Sequence, residues 1–564
     1  MDLRFLRHVC PEEKLTLKSL CLRQGGLRRG VVFATVLGLS PFFAFAADDA
    51  PPAKPAAAPT APVPAPVADS TTQGAVDAGG QHILYDAVAG TITVGATDEQ
   101  DAQIGPDSKP MPDTDAALVK EPKDAPATAR IFYVAYFKKG EKSEDRPITF
   151  FYNGGPGSST VWLHMGSLGP KHVVTPDDKH PPAAPYRLID NAYSLLDTSD
   201  LVFIDMPGTG FGQLFGKDKE KAFWGIDEDA NAFARFIMRF LGKYNRWNSP
   251  KYLFGESYGT TRSAVLSNIL EQKSVDLNGV ILLSQIFNFT SDIDAARTNP
   301  GIDLPYVLAL PTYAATAWYH HKLPQQPSAL EPFLAEVEEF ATSEFAHALS
   351  KGTDLSAADK QAVAEKLHTY TGLPTAYLVK ADLRVSGGAF EKNLQDDQDL
   401  TTGRLDTRFS GPSINPLSEE ADYDPQSSAI SSAYVSLFND YVRKDLKYGA
   451  GQSYLPQALF GSNQWDFKHN GNPLNLNVSA DLATAIKTNP KLKVMVNGGY
   501  YDLATPFYAA FYEDKHLPIP ANLSGNIEYD WYESGHMVYV RDESLKQLHD
   551  KVAAFIRGTE AGNK

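Results

Sequence analysis

The chain has 564 residues, 43% of them hydrophobic and 11% aromatic, and carries 52 Lys and Arg against 68 Asp and Glu for a net charge of −16. Such a composition supplies a large packed core, on a length that would fit about three or four average domains. An acidic body without a basic stretch argues against nucleic acid and anionic membrane surfaces as partners.

The N-terminus is built differently from the rest. Arg23, Arg28 and Arg29 form a positive region, Val31 to Ala46 is apolar, and Ala44-Phe45-Ala46 offers a cleavage site. The pattern predicts a secretory signal with a long positive lead over residues 1–46, and so export to a periplasm or to the exterior. The apolar stretch contains Pro41 and is short for a membrane span, so no stable insertion is expected once the signal is removed. Both cysteines, Cys10 and Cys21, precede the proposed cut. The mature chain would then have no disulfide, no cysteine nucleophile and no thiolate metal site; neither a metal nor a cofactor is expected.

Residues 47–68 are rich in Pro and Ala, which predicts an extended tether outside the fold. Residues 69–128 are polar, with Gly, Asp and Pro, and suggest short strands and loops. Apolar runs then recur at Ile131–Phe137, Ile148–Tyr152, Leu201–Asp205, Tyr252–Phe254 and Val280–Ile286. Near-continuous runs of this kind suit strands buried on both faces of a mostly parallel sheet. Between them, Phe233, Phe236, Ile237, Phe240 and Leu241 fall at helical spacing within Asp227 to Tyr244.

From 301 to 485 helical patterns dominate: Leu330–Leu349, Ala357–Tyr370 behind a capping box of Ser356 and Asp359, and Ser428–Tyr448. No strand series interrupts them. Leu492–Val496 resumes the sheet pattern and Glu528–Glu533 adds a further strand. The pattern predicts an α/β fold with a mostly parallel central sheet, its core in two parts (129–300 and 486–564), and a helical cap at 301–485 inserted between them.

The chemistry begins at Gly255-Glu256-Ser257-Tyr258-Gly259, between the apolar run ending at Phe254 and a helical pattern carried by Ala264, Val265, Leu266, Ile269 and Leu270. Strand, Gly-x-Ser-x-Gly, helix is the nucleophile elbow of α/β-hydrolases, in which the serine stands exposed on a strained turn. A Gly/Ser turn would match the motif alone, and the flanking elements favour the elbow. An activated serine needs a base, and the base an orienting acid. Asp502 follows a strand directly, and His536, beside Gly535, follows the next one. Asp205 also ends a strand but precedes the serine, against the usual order of nucleophile, acid and histidine. The glycine-rich loop Asn153–Ser159 after a strand could offer backbone N–H groups to an oxyanion. A phosphate loop is disfavoured there, because no Lys follows the last Gly and Pro156 removes one donor.

These blocks together resemble the serine carboxypeptidase family. The matching segments are Asn153–Ser159, Leu168-Gly169-Pro170, Asn191 with Tyr193 and Ser194, Asp205–Phe211, Gly255–Gly259, Gly499–Asp502 and Gly535-His536-Met537. The resemblance implies an α/β-hydrolase fold and peptide substrates. It implies Ser257 as nucleophile, His536 as base and Asp502 as its orienter. It also implies an oxyanion hole from the N–H groups of Gly155 and Tyr258, and a substrate-carboxylate site at Asn153, Gly154 and Glu256. Two departures stand out: Ser158 takes a position that is often Cys, and Ser167 takes the position of the family's second glutamate. A carboxylate at Glu256 beside a substrate carboxylate would favour acidic pH. The competing readings are an esterase or acyltransferase on the same three residues, which Ser167 favours, and a non-catalytic binding protein on a hydrolase scaffold.

Overall fold

A computed structural model describes residues 67–105, 125–294, 296–460, 464–473 and 476–561. The proposed signal at 1–46 and nearly all of the tether at 47–68 lie outside the described residues.

The sheet starts with a hairpin. β1 (Ser70–Ala78) and β2 (Gln81–Gly95) pair antiparallel across Gly79 and Gly80, which have φ of 56° and 73°. β3 (Thr128–Lys138) then pairs antiparallel with β2 from Tyr85↔Lys138 to Gly95↔Thr128. Short strands and loops were the expectation for 69–128, and the structure corrects it: β2 alone is 15 residues long. Its small and polar residues, Gly90, Thr91 and Thr93 among them, carry no clear period. Its length comes from having a partner on each edge, which no local window contains.

Among the described residues six strands are parallel: β4 (Ile148–Tyr152), β7 (Asp200–Ile204), β9 (Lys251–Glu256), β10 (Gly279–Leu283), β13 (Lys493–Gly499) and β14 (Ile527–Tyr532). The order across the sheet is β1-β2-β3-β7-β4-β9-β10-β13-β14, with β8 (Gln213–Phe215) paired to β3. β5 (Lys171–Val174) and β6 (Arg187–Asp190) form a separate ribbon. Every residue of β4, β7, β9 and β10 is buried, as the apolar runs require. The strand period of two sends Phe150 and Tyr152 to one side, into a core shared with the helices Ile226–Lys243 and Tyr258–Gln272. Phe151 and Phe254 go to the other side, into a core shared with the helix Asp542–Ala561. This is the α/β-hydrolase fold. The run expected through Ile286 stops at Leu283, because Ser284 takes φ 57° and turns the chain out of the strand.

Between β10 and β13 the chain is mostly helical. The helices Leu304–Tyr319, Leu330–Phe340, Ala357–Thr371 and Gly387–Asn393 pack on one another through Tyr313, Phe333, Val337, Phe340, Leu367 and Phe390. Leu330–Phe340 continues through a wide turn at Ala341–Phe345 into Ala346–Ser350. At the start of Ala357–Thr371 the Ser356 hydroxyl accepts from the Asp359 N–H at 3.1 Å. A further helix, Pro425–Lys444, belongs instead to the core below the sheet through Tyr434, Phe438 and Tyr441. One two-stranded ribbon, β11 (Leu400–Thr402) with β12 (Ser410–Pro412), breaks the helical series, contrary to expectation. Three-residue strands are too short to leave a period in the sequence.

The first residue of β7 anchors this end of the sheet. Asp200, 1% exposed, accepts from Arg146 Nε at 3.0 Å, Arg246 Nη1 at 2.6 Å and Lys138 N at 3.0 Å. Removing a carboxylate from two buried guanidinium groups leaves their charge uncompensated. Asp200→Ala is expected to cost about 3–5 kcal/mol, read as a lower urea midpoint. Lys444→Ala, which breaks an exposed pair with Asp440, should leave that midpoint nearly unchanged. Equal midpoints for the two variants would deny Asp200 this role.

Candidate active site

Ser257 sits where β9 gives way to the helix Tyr258–Gln272, at φ 61° and ψ −131°. A non-glycine residue in that conformation is strained by about 1–3 kcal/mol, and its neighbours hold it there. The Ser257 N–H donates to Leu283 O at 3.0 Å. A Cβ on Gly255 would lie 2.2 Å from Gly259 O, so the turn closes only with glycine at that position.

Asp502 and His536 come from the ends of the neighbouring parallel strands β13 and β14. His536 Nδ1 lies 2.8 Å from Asp502 Oδ2. Thr505 secures the acid, donating from its N–H to Oδ1 at 3.0 Å and from its hydroxyl to Oδ2 at 2.6 Å. With Nδ1 donating to Asp502, the lone pair of the imidazole falls on Nε2. Burial works against the imidazolium, but the Asp502 charge and hydrogen bond, with the Glu256 charge, outweigh it and raise the His536 pKa. Ser257 and His536 line one cavity of about 500 Å³.

The glycine-rich loop leaves β4 and folds against the elbow. A Cβ on Gly154 would fall 2.4 Å from Tyr258 N, so the two backbones are in direct contact. Gly155 follows at φ 108°. Arg262, on the helix behind Ser257, donates to Asn153 O at 2.8 Å from Nη1 and to Asp229 Oδ2 at 2.6 Å from Nε. Both members of that ion pair are fully buried. The Asn153 side chain accepts from Leu163 N at 3.0 Å and donates to Glu256 Oε1 at 2.8 Å. Burial is the main cause that lifts the Glu256 carboxyl to about 7.

The structure therefore gathers Asn153, Gly154, Gly155, Glu256, Ser257 and His536 on one cavity, with Asp502 buried behind His536 and Tyr258 N against Gly154. The rival acid Asp205 is occupied elsewhere. It accepts from Thr160 N at 2.7 Å and from the Tyr454 hydroxyl at 3.0 Å, and burial raises it to about 7. Ser158 accepts from Trp162 Nε1 at 3.0 Å. The Ser167 hydroxyl is spent on its own helical turn, donating to Leu163 O at 2.5 Å.

Sequence reasoning missed several contributors. Thr505 follows Asp502 by three residues, a local spacing that could have flagged it. Gln426, Ile430 and Val435 line the cavity from the helix Pro425–Lys444, whose sequence gives no sign of that placement. The segment Arg404–Arg408 also went unnoticed, although Arg404 and Leu405 reach the cavity.

Fold and elbow define a serine hydrolase of the α/β class. Residues 122–511 match the serine carboxypeptidase family, and the chain belongs to it. Among curated proteins it is similar to "Serine carboxypeptidase-like" of Oryza sativa subsp. japonica, 30% identical over 132 residues, covering 23% of this chain and 28% of that one. It is also similar to "Carboxypeptidase Y homolog" of Arthroderma benhamiae, 30% identical over 191 residues, covering 33% of this chain and 34% of that one. The chain thus spans about a third of the length of these curated relatives. Among solved structures, a proline iminopeptidase from Mycobacterium smegmatis overlaps 77% of this chain and 97% of that one at 12% identity, with a TM-score of 0.31.

The contact between Gly154 and Tyr258 N sets a test of the oxyanion loop. Gly154→Ala should push the loop off the elbow and slow fluorophosphonate labelling of Ser257 by about 10²–10³-fold, with the far-ultraviolet circular dichroism unchanged. Unaltered labelling would separate the loop from the serine's chemistry.

Proposed function

We propose that the chain is an exported serine carboxypeptidase that removes C-terminal residues from peptides through an acyl-enzyme. The observation that carries this reading is the cavity shared by Ser257, the His536–Asp502 pair and the Asn153–Glu256 pair. One pair suits proton transfer at the scissile bond, and the other suits a terminal carboxylate a short distance away. The family supports the same assignment, as does the signal-like pattern of residues 23–46. Among the described residues no helix is long and apolar enough to cross a membrane.

In this mechanism the Ser257 hydroxyl attacks the scissile carbonyl while His536 Nε2 takes its proton. The N–H groups of Gly155 and Tyr258 receive the oxyanion. The imidazolium, steadied by Asp502, gives the proton to the leaving amine, and the C-terminal amino acid departs. Water then attacks the acyl ester, with His536 again as base. Asn153 and the N–H of Gly154 hold the substrate carboxylate, and Glu256 holds it while protonated.

The pH dependence follows from two groups with opposite requirements. Glu256, raised to about 7, donates a hydrogen bond to a carboxylate below that pH and repels it above. His536 must be deprotonated to act as base, so its raised pKa suppresses turnover at low pH. kcat/KM for a peptide with a free C-terminus should therefore be bell-shaped, with its falling limb near pH 7. The amide of the same peptide, having no carboxylate, should show only the rising limb, and Glu256→Gln should abolish the falling one. A free-acid kcat/KM that rises steadily from pH 4 to 8 would refute this. An esterase reading is favoured by Ser167, whose hydroxyl is turned away to Leu163 O. Mass spectrometry of a mixed peptide pool separates the two: stepwise trimming confined to free C-termini supports the carboxypeptidase, and an untouched pool beside ready hydrolysis of a p-nitrophenyl ester supports the esterase.

A further inference from the structure

Glu256, which the mechanism above uses, lies on the carboxylate side of the cavity, and near it are buried polar atoms that the mechanism does not use. Glu256 Oε2, Gln426 Oε1 and the hydroxyls of Tyr434 and Tyr539 are all buried without a hydrogen-bond partner. Leaving such a group unpaired away from water is costly, so four of them here call for an explanation.

Their placement supplies it. Tyr539 follows His536 by three residues, in the short turn Val538–Val540, and its hydroxyl is aimed at both Glu256 and Asn153, in electrostatic contact with them but outside full hydrogen-bond geometry. Tyr434, on the helix Pro425–Lys444, feels the Glu256 charge as well and packs on the cavity-lining Trp162 with ring centroids 5.7 Å apart. Both rings press on the backbone beside Ser167. A Cβ on Gly166 would meet the Tyr434 hydroxyl at 2.5 Å and Tyr539 Cε2 at 2.7 Å. The Ser167 hydroxyl is committed to Leu163 O.

Resting on the carboxypeptidase reading, we propose that Tyr539, backed by Tyr434, completes the substrate-carboxylate site in the space beside Ser167, as a neutral donor that positions Glu256. Burial and the nearby Glu256 charge keep both phenols protonated. Tyr539 is thus a donor at every working pH, and only Glu256 on this side of the cavity changes charge. The charged or titratable groups facing Glu256 are His536, Asp502, Tyr434 and Tyr539. Of these, His536 and Asp502 serve the proton relay. A phenol that closes onto Glu256 once substrate occupies the cavity favours the ionised carboxylate and so helps set the pH at which substrate is released. It acts on substrate through Glu256 and Asn153, so it is a positioning residue.

The test compares wild type, Tyr539→Phe and Tyr434→Phe on a blocked dipeptide with a free C-terminus and on its C-terminal amide, from pH 4.5 to 8. Tyr539→Phe should raise KM for the free acid about tenfold, leave its kcat within about twofold, and leave turnover of the amide unchanged. The falling limb of the free-acid profile should move to higher pH, because Glu256 loses a donor to its ionised form. Tyr434→Phe should act in the same direction, more weakly. Both variants remove an unpaired hydroxyl, so neither should lower the thermal midpoint; a purely structural role would move that midpoint and not the acid-to-amide ratio. If wild type prefers the free acid and both variants match it in KM and limb, the tyrosine assignment is overturned and the carboxypeptidase reading survives. If wild type turns over acid and amide equally, both are overturned.

Discussion

A five-residue segment of the insertion, Arg404 to Arg408, ties together the two loops that carry the acid and the histidine. Leu503 N donates to Arg404 O at 3.1 Å, and His536 N donates to Leu405 O at 2.6 Å. Gly535 N donates to Asp406 Oδ2 at 3.2 Å, and Thr407 N donates to Tyr501 O at 2.9 Å. Asp406 is in turn fixed by the buried Arg408, which also reaches the Ser534 hydroxyl at 3.3 Å. Without this tie, Asp502 and His536 would stand on two separate loops at the end of a sheet. With it, their 2.8 Å contact is set by backbone bonds on both sides. The insertion therefore covers the core and also holds its reactive edge in register.

A second tie operates beneath the serine. The Arg262–Asp229 pair is buried between two helices, and Arg262 reaches forward to the carbonyl of Asn153. A buried ion pair contributes little net stability over a well-packed apolar pair, because desolvation offsets the attraction. Its value here is positional. The guanidinium that follows the nucleophile by five residues also fixes the loop facing it, so the elbow and the glycine-rich loop move as one body. Burial then adjusts the chemistry, raising Glu256 to about 7 and leaving the outcome at His536 to its carboxylate neighbours.

Much of this was legible in the sequence because it is local. β4 was read at its observed bounds, and β9 and β13 within a few residues, because strands buried on both faces are written as unbroken apolar runs; β14, half-exposed at the sheet edge, was also read within a residue. The elbow was legible from two glycines and the elements flanking them. What stayed hidden depends on contacts between distant segments. The hairpin β1–β2 has no period of its own and owes its length to β3. Arg404–Arg408 lies in a stretch without pattern, and its role exists only once β13 and β14 are adjacent. Tyr434 and Tyr539 are 105 positions apart in the numbering and come together at Gly166 and Glu256. The departure at Ser167 was visible, but the two phenols packed against the neighbouring Gly166 were not.

The central claim is that Ser257 becomes acylated and His536 and Asp502 serve that step. The most direct measurement is intact-protein and peptide mass spectrometry after rapid acid quench with a slowly deacylating p-nitrophenyl ester. The account predicts an acyl adduct approaching about one per chain, confined to the peptide that holds Ser257, forming far more slowly in His536→Ala and absent in Ser257→Ala. Turnover that persists in Ser257→Ala, or an adduct that maps to another residue, would contradict it.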